Sequence, residues 1–367
     1  MKILYICNEI SKSNGWSVIN YYTVKGALDA GHEVHVLTEI NGQNLKLPGL
    51  KIHNFLFEAG AARKNILGLV KSFFQIQKLL KKNSYDIVHI LVEPYLFYFS
   101  VLNHPRIVFS LVGTYAISIF KDSAFKALYL KALSKVHTFL AISQYTADFF
   151  AKTVFSPPSI HVVPLGVDMS VFNLPYDKNN EKEIAFTFVG HLKQRKGLGF
   201  AIEAINRLKQ NHPAIKLYVV GSDKGHYSDN CKSRVKELGL ESNVLFLGFK
   251  SHQEIAELYQ KCVGNVLPSV NATDGAFEGF GLIHLEANAC SILTIGSNNC
   301  GNESAIKDGQ TGFLAQQQDF QDLSKKMEEV IQIYLSGNYE KYAHLCYEHA
   351  KTNNWKNYFS SIQQYYS

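Results

Sequence analysis

Two glutamates eight positions apart, with a glycine turn after the first, form the stretch of this sequence best suited to chemistry. Glu278 is followed by Gly-Phe-Gly, and Glu286 comes about one turn into the helix that the apolar spacing predicts. The N–H groups of Phe280, Gly281 and Leu282 would lie at the start of that helix and make an anion site. Glu286 could accept hydrogen bonds from vicinal hydroxyls. A phosphate at the turn with hydroxyls on either side describes a nucleotide sugar.

A second candidate anion site is the basic loop bounded by Gly190 and Gly197. It follows an apolar run at 184–189, which predicts a strand, and precedes a helix predicted at 198–208. A strand that leads through such a loop into a helix is a phosphate-binding arrangement. Taken alone, however, the basic loop and the glutamate pair are both more often solvated surface charges. The cations of the loop are Lys193, Arg195 and Lys196.

The elements that must position these residues alternate between strands and helices. The sequence predicts a buried first strand at Lys2 to Cys7, a helix at 18–28 and a second strand at Glu33 to Thr38. Together these elements make a βαβ unit. The second half predicts further strands at 184–189, 216–221, 243–246 and 263–267. This alternation predicts an α/β protein, and 367 residues are enough for two domains with full cores.

Composition narrows the class of protein and its partners. The chain is 46% hydrophobic and 19% charged, which is ordinary for a globular protein. A net charge of +6 fits phosphate ligands or an anionic membrane surface but is too small to indicate nucleic acid. Six scattered cysteines without a Cys-x-x-Cys pair predict free thiols in a reducing cytoplasm. The first apolar run is short and predicts a strand, so we expect no signal peptide.

Several motifs of other enzyme classes do not occur in the sequence. There is no P-loop motif, and no complete Gly-x-Gly-x-x-Gly fingerprint follows a predicted strand. No His-Glu-x-x-His and no Cys/His cluster indicates zinc. No Asp-x-Asp pair is present to carry a magnesium-bound diphosphate. We therefore expect no bound metal.

The glutamate stretch belongs to a larger set of motifs that resembles a known family. Pro268-Ser269, Glu278 to Ala287, Gly301 to Ser304 and Asp308 to Leu314 resemble the retaining glycosyltransferases of family 4, also described as glycosyl transferases group 1. The segment from His161 to Asp168 resembles the interdomain signature of that family. The likeness extends over nearly the whole chain.

This resemblance implies a GT-B fold, in which two doubly wound Rossmann-like domains face each other across a cleft. The first domain, on the acceptor side, would comprise residues 1–168. The second, which binds the nucleotide sugar, would comprise residues 169–345. Residues 346–367 would form a C-terminal helix that packs back on the first domain.

The resemblance assigns the donor diphosphate to the basic loop. In the family, a lysine before the second glycine and an arginine grip the diphosphate, and Lys196 matches the lysine. His191 stands at the common arginine position, and Arg195 substitutes for that arginine, as in a subset of the family. Arg195 and Lys196, with Glu278 beside the donor sugar, are thus the implied catalytic residues.

The same resemblance supplies the other donor contacts. Glu278 would hold hydroxyls of the donor sugar, and Glu286 would hold the ribose. A glycine at the position of Gly15 lets the donor phosphate approach the first helix in the family, although Gly15 alone is equally well explained as a turn residue. The implied donor-binding residues are Gly15, His191, Arg195, Lys196, Glu278, Phe280, Gly281, Leu282 and Glu286.

One position departs from the family pattern. After the strand predicted at 107–111, family members commonly have a histidine that lies over the donor sugar. This chain has Val112 there, followed by Gly113-Thr114. The role of that histidine therefore has no counterpart in this sequence.

The activity implied by the resemblance is sugar transfer from a nucleotide-activated donor, linked to UDP or GDP, to a hydroxyl, with retention at the anomeric carbon. The acceptor would be a sugar or a lipid-linked glycan in the synthesis of a cell-surface polysaccharide, lipopolysaccharide or glycolipid. The donor is a substrate, and no cofactor is implied. Two alternatives stay open: a GT-B nucleotide-sugar epimerase or phosphorylase, and a catalytically inert nucleotide-sugar-binding subunit.

A basic amphipathic helix is predicted at 63–83. Its apolar residues largely occupy one side, and six cations occupy another: Arg63, Lys64, Lys71, Lys78, Lys81 and Lys82. Such a helix can lie on an anionic membrane, which would place a cytoplasmic protein on the inner face of the membrane. A helix packed on the sheet with a solvated lysine face is an equal alternative.

Overall fold

The computed structural model describes residues 1–57, 66–121, 126–222 and 224–366 of the chain. The chain forms two compact units. The first comprises Met1–Val163 with Trp355–Ser367, and the second comprises Pro164–Asn354. The domain boundaries predicted from the sequence lie after residues 168 and 345, whereas the chain passes between units after Val163 and again after Asn354.

Parallel strands build the core of both units. The described strands are β1 (Lys2–Ile6), β2 (Glu33–Glu39), β3 (Lys51–Leu56), β4 (Ile87–Ile90), β5 (Ile107–Leu111), β6 (Thr138–Ala141), β7 (His161–Val162), β8 (Glu183–Val189), β9 (Lys216–Val220), β10 (Val244–Gly248), β11 (Cys262–Val266), β12 (Leu293–Ser297) and β13 (Gly312–Ala315). Most of their residues are buried, as expected for parallel sheets covered on both faces.

Helices connect most of these strands. Those described are α1 (Gly15–Asp29), α2 (Ile66–Lys82), α3 (Tyr115–Lys121), α4 (Lys126–Leu133), α5 (Gln144–Thr153), α6 (Leu198–Leu208), α7 (His226–Glu237), α8 (His252–Lys261), α9 (Leu282–Ala289), α10 (Phe320–Leu335), α11 (Tyr339–Thr352) and α12 (Trp355–Gln363). Short 3-10 segments occur at Glu93–Ser100, Gln194–Lys196, Gly301–Ser304 and Gln364–Tyr366. The predicted α/β class is confirmed.

The sheet of the first unit has seven strands in the order β3-β2-β1-β4-β5-β6-β7. The C-terminal segment completes this unit. Helix α12 packs on α1, where Trp355 stacks on Tyr22 with ring centroids 4.6 Å apart. The buried hydroxyl of Tyr366 lies 2.6 Å from His89 Nδ1 in β4 and 3.1 Å from the hydroxyl of Tyr5 in β1. The last residues of the chain therefore anchor in the first sheet, while α11 belongs to the second unit.

The sheet of the second unit has six strands in the order β10-β9-β8-β11-β12-β13. Its strand order reverses between β8 and β11. In open α/β sheets, ligands bind outside the carboxyl ends of the strands at such a reversal. The basic loop follows β8, and the segment that leads to Glu278 follows β11. The topology therefore places both predicted anion sites at the reversal point of one sheet.

Helix α2 (Ile66–Lys82) is the described part of the amphipathic helix predicted at 63–83. Residues 58–65, and with them Arg63 and Lys64, lie outside the described residues. Four large apolar side chains of α2 are exposed: Ile66 (67%), Leu67 (84%), Val70 (46%) and Phe74 (59%). Four lysines of the helix are also exposed: Lys71, Lys78, Lys81 and Lys82. The helix thus carries both apolar and cationic groups on its free surface.

Among the described residues, none of the helices is both long and apolar enough to cross a membrane. Over the same ranges, His, Cys, Asp and Glu side chains form no group of three or more that could hold a metal ion. All six cysteines are buried free thiols, as the sequence predicts.

Candidate functional site

The basic loop after β8 is held against the exit of β11. Gly197 ends a short 3-10 turn with a φ of 77°, and a Cβ there would lie 1.9 Å from the carbonyl oxygen of Pro268. Only glycine fits this close approach. In addition, the N–H of Val270 donates to the carbonyl of Arg195 at 2.8 Å. These two contacts fix the cations of the loop beside the segment that carries Glu278.

The turn before α9 is also shaped by a glycine. Gly281 has a φ of 88°, and a Cβ there would lie 2.6 Å from Asn302 Nδ2 and 2.7 Å from His284 Cδ2. Asn302 Nδ2 also donates to the carbonyl of Phe280 at 3.2 Å. The N–H of Gly301 donates to the carbonyl of Glu278 at 2.8 Å. Gly301 and Asn302 therefore hold the turn at residues 278–281 through hydrogen bonds to its carbonyl groups.

The Glu278 carboxylate joins the two loops. Its Oε2 accepts from Arg195 Nη1 at 3.2 Å, from Lys196 Nζ, and from Ser269 Oγ at 3.4 Å. The side chains of Glu278 and Lys196 are 11% and 14% exposed, and that of Arg195 is 30% exposed. The structure thus brings together all three predicted catalytic residues in a largely buried cluster.

The charge of Glu278 depends on these neighbours. Burial alone would raise the pKa of its carboxyl, because a charge is poorly solvated inside a protein. The adjacent Lys196 ammonium and Arg195 guanidinium outweigh burial and lower the pKa to about 2. Glu278 is therefore ionised at neutral pH, and the cluster holds two positive charges and one negative charge.

Helix α9 begins beside this cluster at Leu282. Among the residues that the structure describes, the N–H groups of Phe280, Gly281 and Leu282 make no hydrogen bond to another residue. The first backbone bond of this turn runs from the N–H of His284 to the carbonyl of Gly281 at 3.0 Å. The predicted anion donors are thus available at a helix start, where the helix dipole favours negative charge.

Glu286 occupies a different environment on the same helix. It is half-buried in the second turn of α9. Burial and the nearby negative charge of Asp168 raise the pKa of its carboxyl to about 7. Near neutral pH, Glu286 is therefore partly protonated, and it can both donate to and accept from hydroxyl groups.

The other two predicted donor residues, His191 in the basic loop and Gly15 at the start of α1, are exposed. Burial and the charges of Lys193, Lys196 and Arg195 lower the pKa of His191, so its ring is neutral at pH 7. Gly15 is the first residue of α1, in the first unit, and a Cβ added there would meet no atom within 4 Å. The fold itself therefore leaves open space at Gly15.

Sequence reasoning missed several polar side chains that shape these loops. His284 is buried and neutral because burial lowers its pKa to about 3, and its Nδ1 lies 2.6 Å from Thr294 Oγ1. In the first unit, Glu9 Oε1 accepts the hydroxyls of Ser11 and Ser17 at 2.7 and 2.6 Å, beside the start of α1. For His284, the sequence signal was its position three residues after Gly281, within the first turn of α9.

A buried glutamate, Glu93, bonds to the backbone of Val112, the residue that stands where the family has histidine. The N–H of Val112 donates to Glu93 Oε1 at 2.6 Å. Burial raises the pKa of Glu93 to about 8 despite this bond, so its carboxyl is mainly protonated at neutral pH. Glu93 Oε2 is buried and has no hydrogen-bond partner within the described ranges. The pattern of the sequence around Val112 did not predict this carboxyl.

Two family models match the chain, one for each unit. The model described as Glycosyltransferase Family 4 matches residues 13–171. The model described as Glycosyl transferases group 1 matches residues 175–351, which include the cation pair, Glu278 and Glu286. Together the matched segments leave only the termini and a short linker uncovered.

Similar proteins agree with these matches. The amylovoran biosynthesis glycosyltransferase AmsK of Erwinia amylovora is 30% identical over 45% of this chain and 40% of its own length. This chain thus spans about half the length of the curated relatives it matches. Sucrose-phosphate synthase from Thermosynechococcus elongatus has a TM-score of 0.79 at 18% identity, with 100% of this chain and 98% of that chain covered. Anabaena HepE in complex with UDP-glucose has a TM-score of 0.75 at 16% identity, with 99% and 98% covered.

Three findings point to the same family. Both units contain a parallel sheet, the predicted motifs lie at the reversal point of the second sheet, and two family models match the chain. The structural likeness confirms the predicted GT-B fold class. The chain belongs to the family 4, group 1 glycosyltransferases.

Proposed function

We propose that this protein transfers a sugar from a UDP- or GDP-linked donor to a hydroxyl group, with retention of configuration at the anomeric carbon. The observation that carries the proposal is the cluster of Arg195, Lys196 and Glu278 beside the free N–H groups at the start of α9. A diphosphate needs cations and N–H donors, and the sugar attached to it needs a hydroxyl acceptor. The cluster offers both within one site.

The proposed roles follow from the charge that develops during transfer. Departure of the nucleoside diphosphate builds negative charge on the phosphate, which Arg195, Lys196 and the N–H groups of residues 280–282 would stabilise electrostatically. Glu278, ionised at neutral pH, would hold hydroxyls of the donor sugar beside the anomeric carbon, where positive charge develops. Glu286 would bind the ribose.

The proposed reaction requires no nucleophile from the protein. The acceptor oxygen forms a bond to the anomeric carbon as the bond from that carbon to the phosphate oxygen breaks, and the acceptor proton passes to the leaving phosphate. We also propose that no divalent metal is needed, because Arg195 and Lys196 supply the positive charge that a metal would bring.

The acceptor class rests on the relatives. AmsK is an amylovoran biosynthesis glycosyltransferase, and another relative is a putative colanic acid biosynthesis glycosyltransferase of Salmonella typhimurium. We propose that this chain likewise acts in the synthesis of a cell-surface polysaccharide, lipopolysaccharide or glycolipid. The exposed apolar and cationic residues of α2 support association with an anionic membrane, where a lipid-linked acceptor would lie.

A second candidate is a donor-binding subunit without transferase activity. It is favoured by one observation. The side chain of Val112 has no group that could form a hydrogen bond to a donor sugar, and the nearby carboxyl of Glu93 is buried and bonded to the Val112 backbone. This candidate predicts donor binding without hydrolysis or transfer.

The test is a panel of UDP- and GDP-linked sugars, assayed for release of nucleoside diphosphate with and without saccharide acceptors and with excess chelator. We expect release from one donor class, unchanged by chelator, and NMR of the product should show the anomeric configuration of the donor. Collapse of activity in chelator, restored by Mg²⁺ or Mn²⁺, would contradict the proposed role of the cation pair. Inversion would contradict the mechanism, and donor binding without any turnover would favour the inert subunit.

A further inference from the structure

The cations proposed for the donor diphosphate bind a carboxylate of the same chain. Within the described ranges, Glu278 is the only acceptor of the side-chain hydrogen bonds of Arg195 and Lys196. Both bonds reach the same oxygen, Oε2. A phosphate that binds these cations must therefore share them with Glu278 or displace it.

Displacing the Glu278 carboxylate from Arg195 and Lys196 costs free energy, and the amount depends on which hydrogen-bond donors the carboxylate finds instead. The Glu278 residue as a whole is 9% exposed, so water can restore little of the solvation that its carboxylate loses. Its remaining partner, Ser269 Oγ, is a neutral donor at 3.4 Å. A carboxylate left in this position beside a diphosphate would be both poorly solvated and repelled by a charge of the same sign.

Binding of an intact nucleotide-sugar donor avoids most of this free-energy cost, whereas binding of the free diphosphate does not. The donor sugar carries hydroxyl groups that can donate to Glu278 while the phosphates take the cations. Nucleoside diphosphate and pyrophosphate have no sugar at that position. The same carboxylate thus interacts differently with the substrate and with the product of the proposed reaction.

We propose that Glu278 determines specificity between donor and product: its carboxylate competes with free diphosphate for Lys196 and Arg195 and so promotes release of the nucleoside diphosphate after transfer. This inference rests on the proposed function for the identity of the product. The competition itself concerns only the cations and a phosphate, and it can be measured without any sugar donor.

Calorimetric titration with inorganic pyrophosphate tests the competition directly. We expect Glu278→Gln to bind pyrophosphate about tenfold more tightly than the wild type, the scale for one charge-assisted contact. The matched control is Glu241→Gln, which removes an equal charge from an exposed residue just before β10, the edge strand of the same sheet. It should change the affinity less than about twofold.

A double-mutant cycle separates competition from general repulsion between charges. If carboxylate and phosphate compete for the Lys196 ammonium, the gain from Glu278→Gln should shrink in a Lys196→Gln background. A gain of equal size in both backgrounds, or a Glu278→Gln variant that binds pyrophosphate no better than the wild type, would overturn the inference. Thermal unfolding identifies any variant that does not fold, and Glu278→Ala then replaces Glu278→Gln in the cycle.

The outcome is distinguishable from failure of the proposed function. If no nucleotide sugar is a substrate but Glu278→Gln still gains pyrophosphate affinity, the competition holds and the transferase proposal fails. If a nucleotide sugar is turned over and Glu278→Gln gains no affinity for pyrophosphate, the transferase proposal holds and the inference fails.

Discussion

At the scale of single residues, Glu278 and Glu286 belong to one segment but have opposite electrostatic surroundings. Lys196 and Arg195 offset burial and lower the pKa of Glu278 to about 2. Burial and Asp168 raise the pKa of Glu286 to about 7. One carboxyl is therefore permanently ionised at physiological pH, while the other titrates within that range.

The different proposed roles of the two glutamates predict different kinetic defects. Glu286→Gln should mainly raise the Michaelis constant for the donor, because contacts to the ribose are similar in the ground and transition states. Glu278→Gln should lower turnover by about a hundredfold or more, because it removes a preorganised charge beside the reacting carbon. Steady-state kinetics of both variants measure this, and normal turnover in both would favour two surface acids.

The raised pKa of Glu286 predicts a pH dependence of donor binding. If the ionised carboxylate accepts both ribose hydroxyls, affinity for nucleoside diphosphate should rise as pH increases from 6 to 8 and level off above the pKa of about 7. Titration calorimetry across this range is the measurement. Glu286→Gln should flatten the profile, and an unchanged profile in that variant would assign the titration to another group.

At the scale of elements, the C-terminal helix α12 depends on a glycine in α1. A Cβ at Gly26 would lie 2.4 Å from the ring of Phe359 in α12. Gly26→Ala should therefore lower the free energy of unfolding by about 1–3 kcal/mol, since overpacking outweighs the better helix propensity of alanine. Denaturant unfolding checks this value.

Gly15→Ala is the control for that change, because it adds the same methyl group to the same helix in open space. It should leave the stability unchanged or slightly higher. If Gly26→Ala were as stable as Gly15→Ala, α12 would not pack on α1 as described. Weakened donor binding in Gly15→Ala would also support the role that the family resemblance gives to Gly15.

Helix α2 is the element that we expect to contact membranes. Replacing Lys71, Lys78, Lys81 and Lys82 by glutamine should reduce flotation with acidic liposomes, because each basic residue near an anionic surface contributes about 1 kcal/mol. The matched control replaces four exposed lysines of the second unit: Lys178, Lys236, Lys307 and Lys325. Equal recovery with neutral and acidic liposomes, or an equal loss in the control, would contradict a specific role for α2.

At the scale of the whole molecule, most of the fold could be predicted from the sequence because its signals are local. Apolar runs and helical spacing indicated the βαβ unit, and the glycine turn indicated the start of α9. The boundary near the C-terminus was less predictable. No local signal distinguishes α11 from α12, and the chain leaves the second unit only after Asn354, in the short connection between them.

Contacts between distant residues were the part of the site that the sequence did not show. Motif resemblance placed Lys196 and Glu278 in one site, but the bond between them joins residues 82 positions apart. Its consequence, a carboxylate bound to the cations of the proposed diphosphate site, follows only from tertiary structure. The bond between Glu93 and Val112 is similar, because burial gave this glutamate a role that its sequence context does not indicate.

The central claim is that the cation pair of the second unit binds the diphosphate of a nucleotide sugar. Calorimetric titration of UDP and GDP into the wild type, Lys196→Gln and Lys193→Gln tests it most directly, because Lys193 is an exposed lysine of the same loop. We predict that one nucleotide binds the wild type, that Lys196→Gln weakens it about tenfold to a hundredfold, and that Lys193→Gln changes it less than about threefold. Equal affinities in all three proteins would contradict the claim.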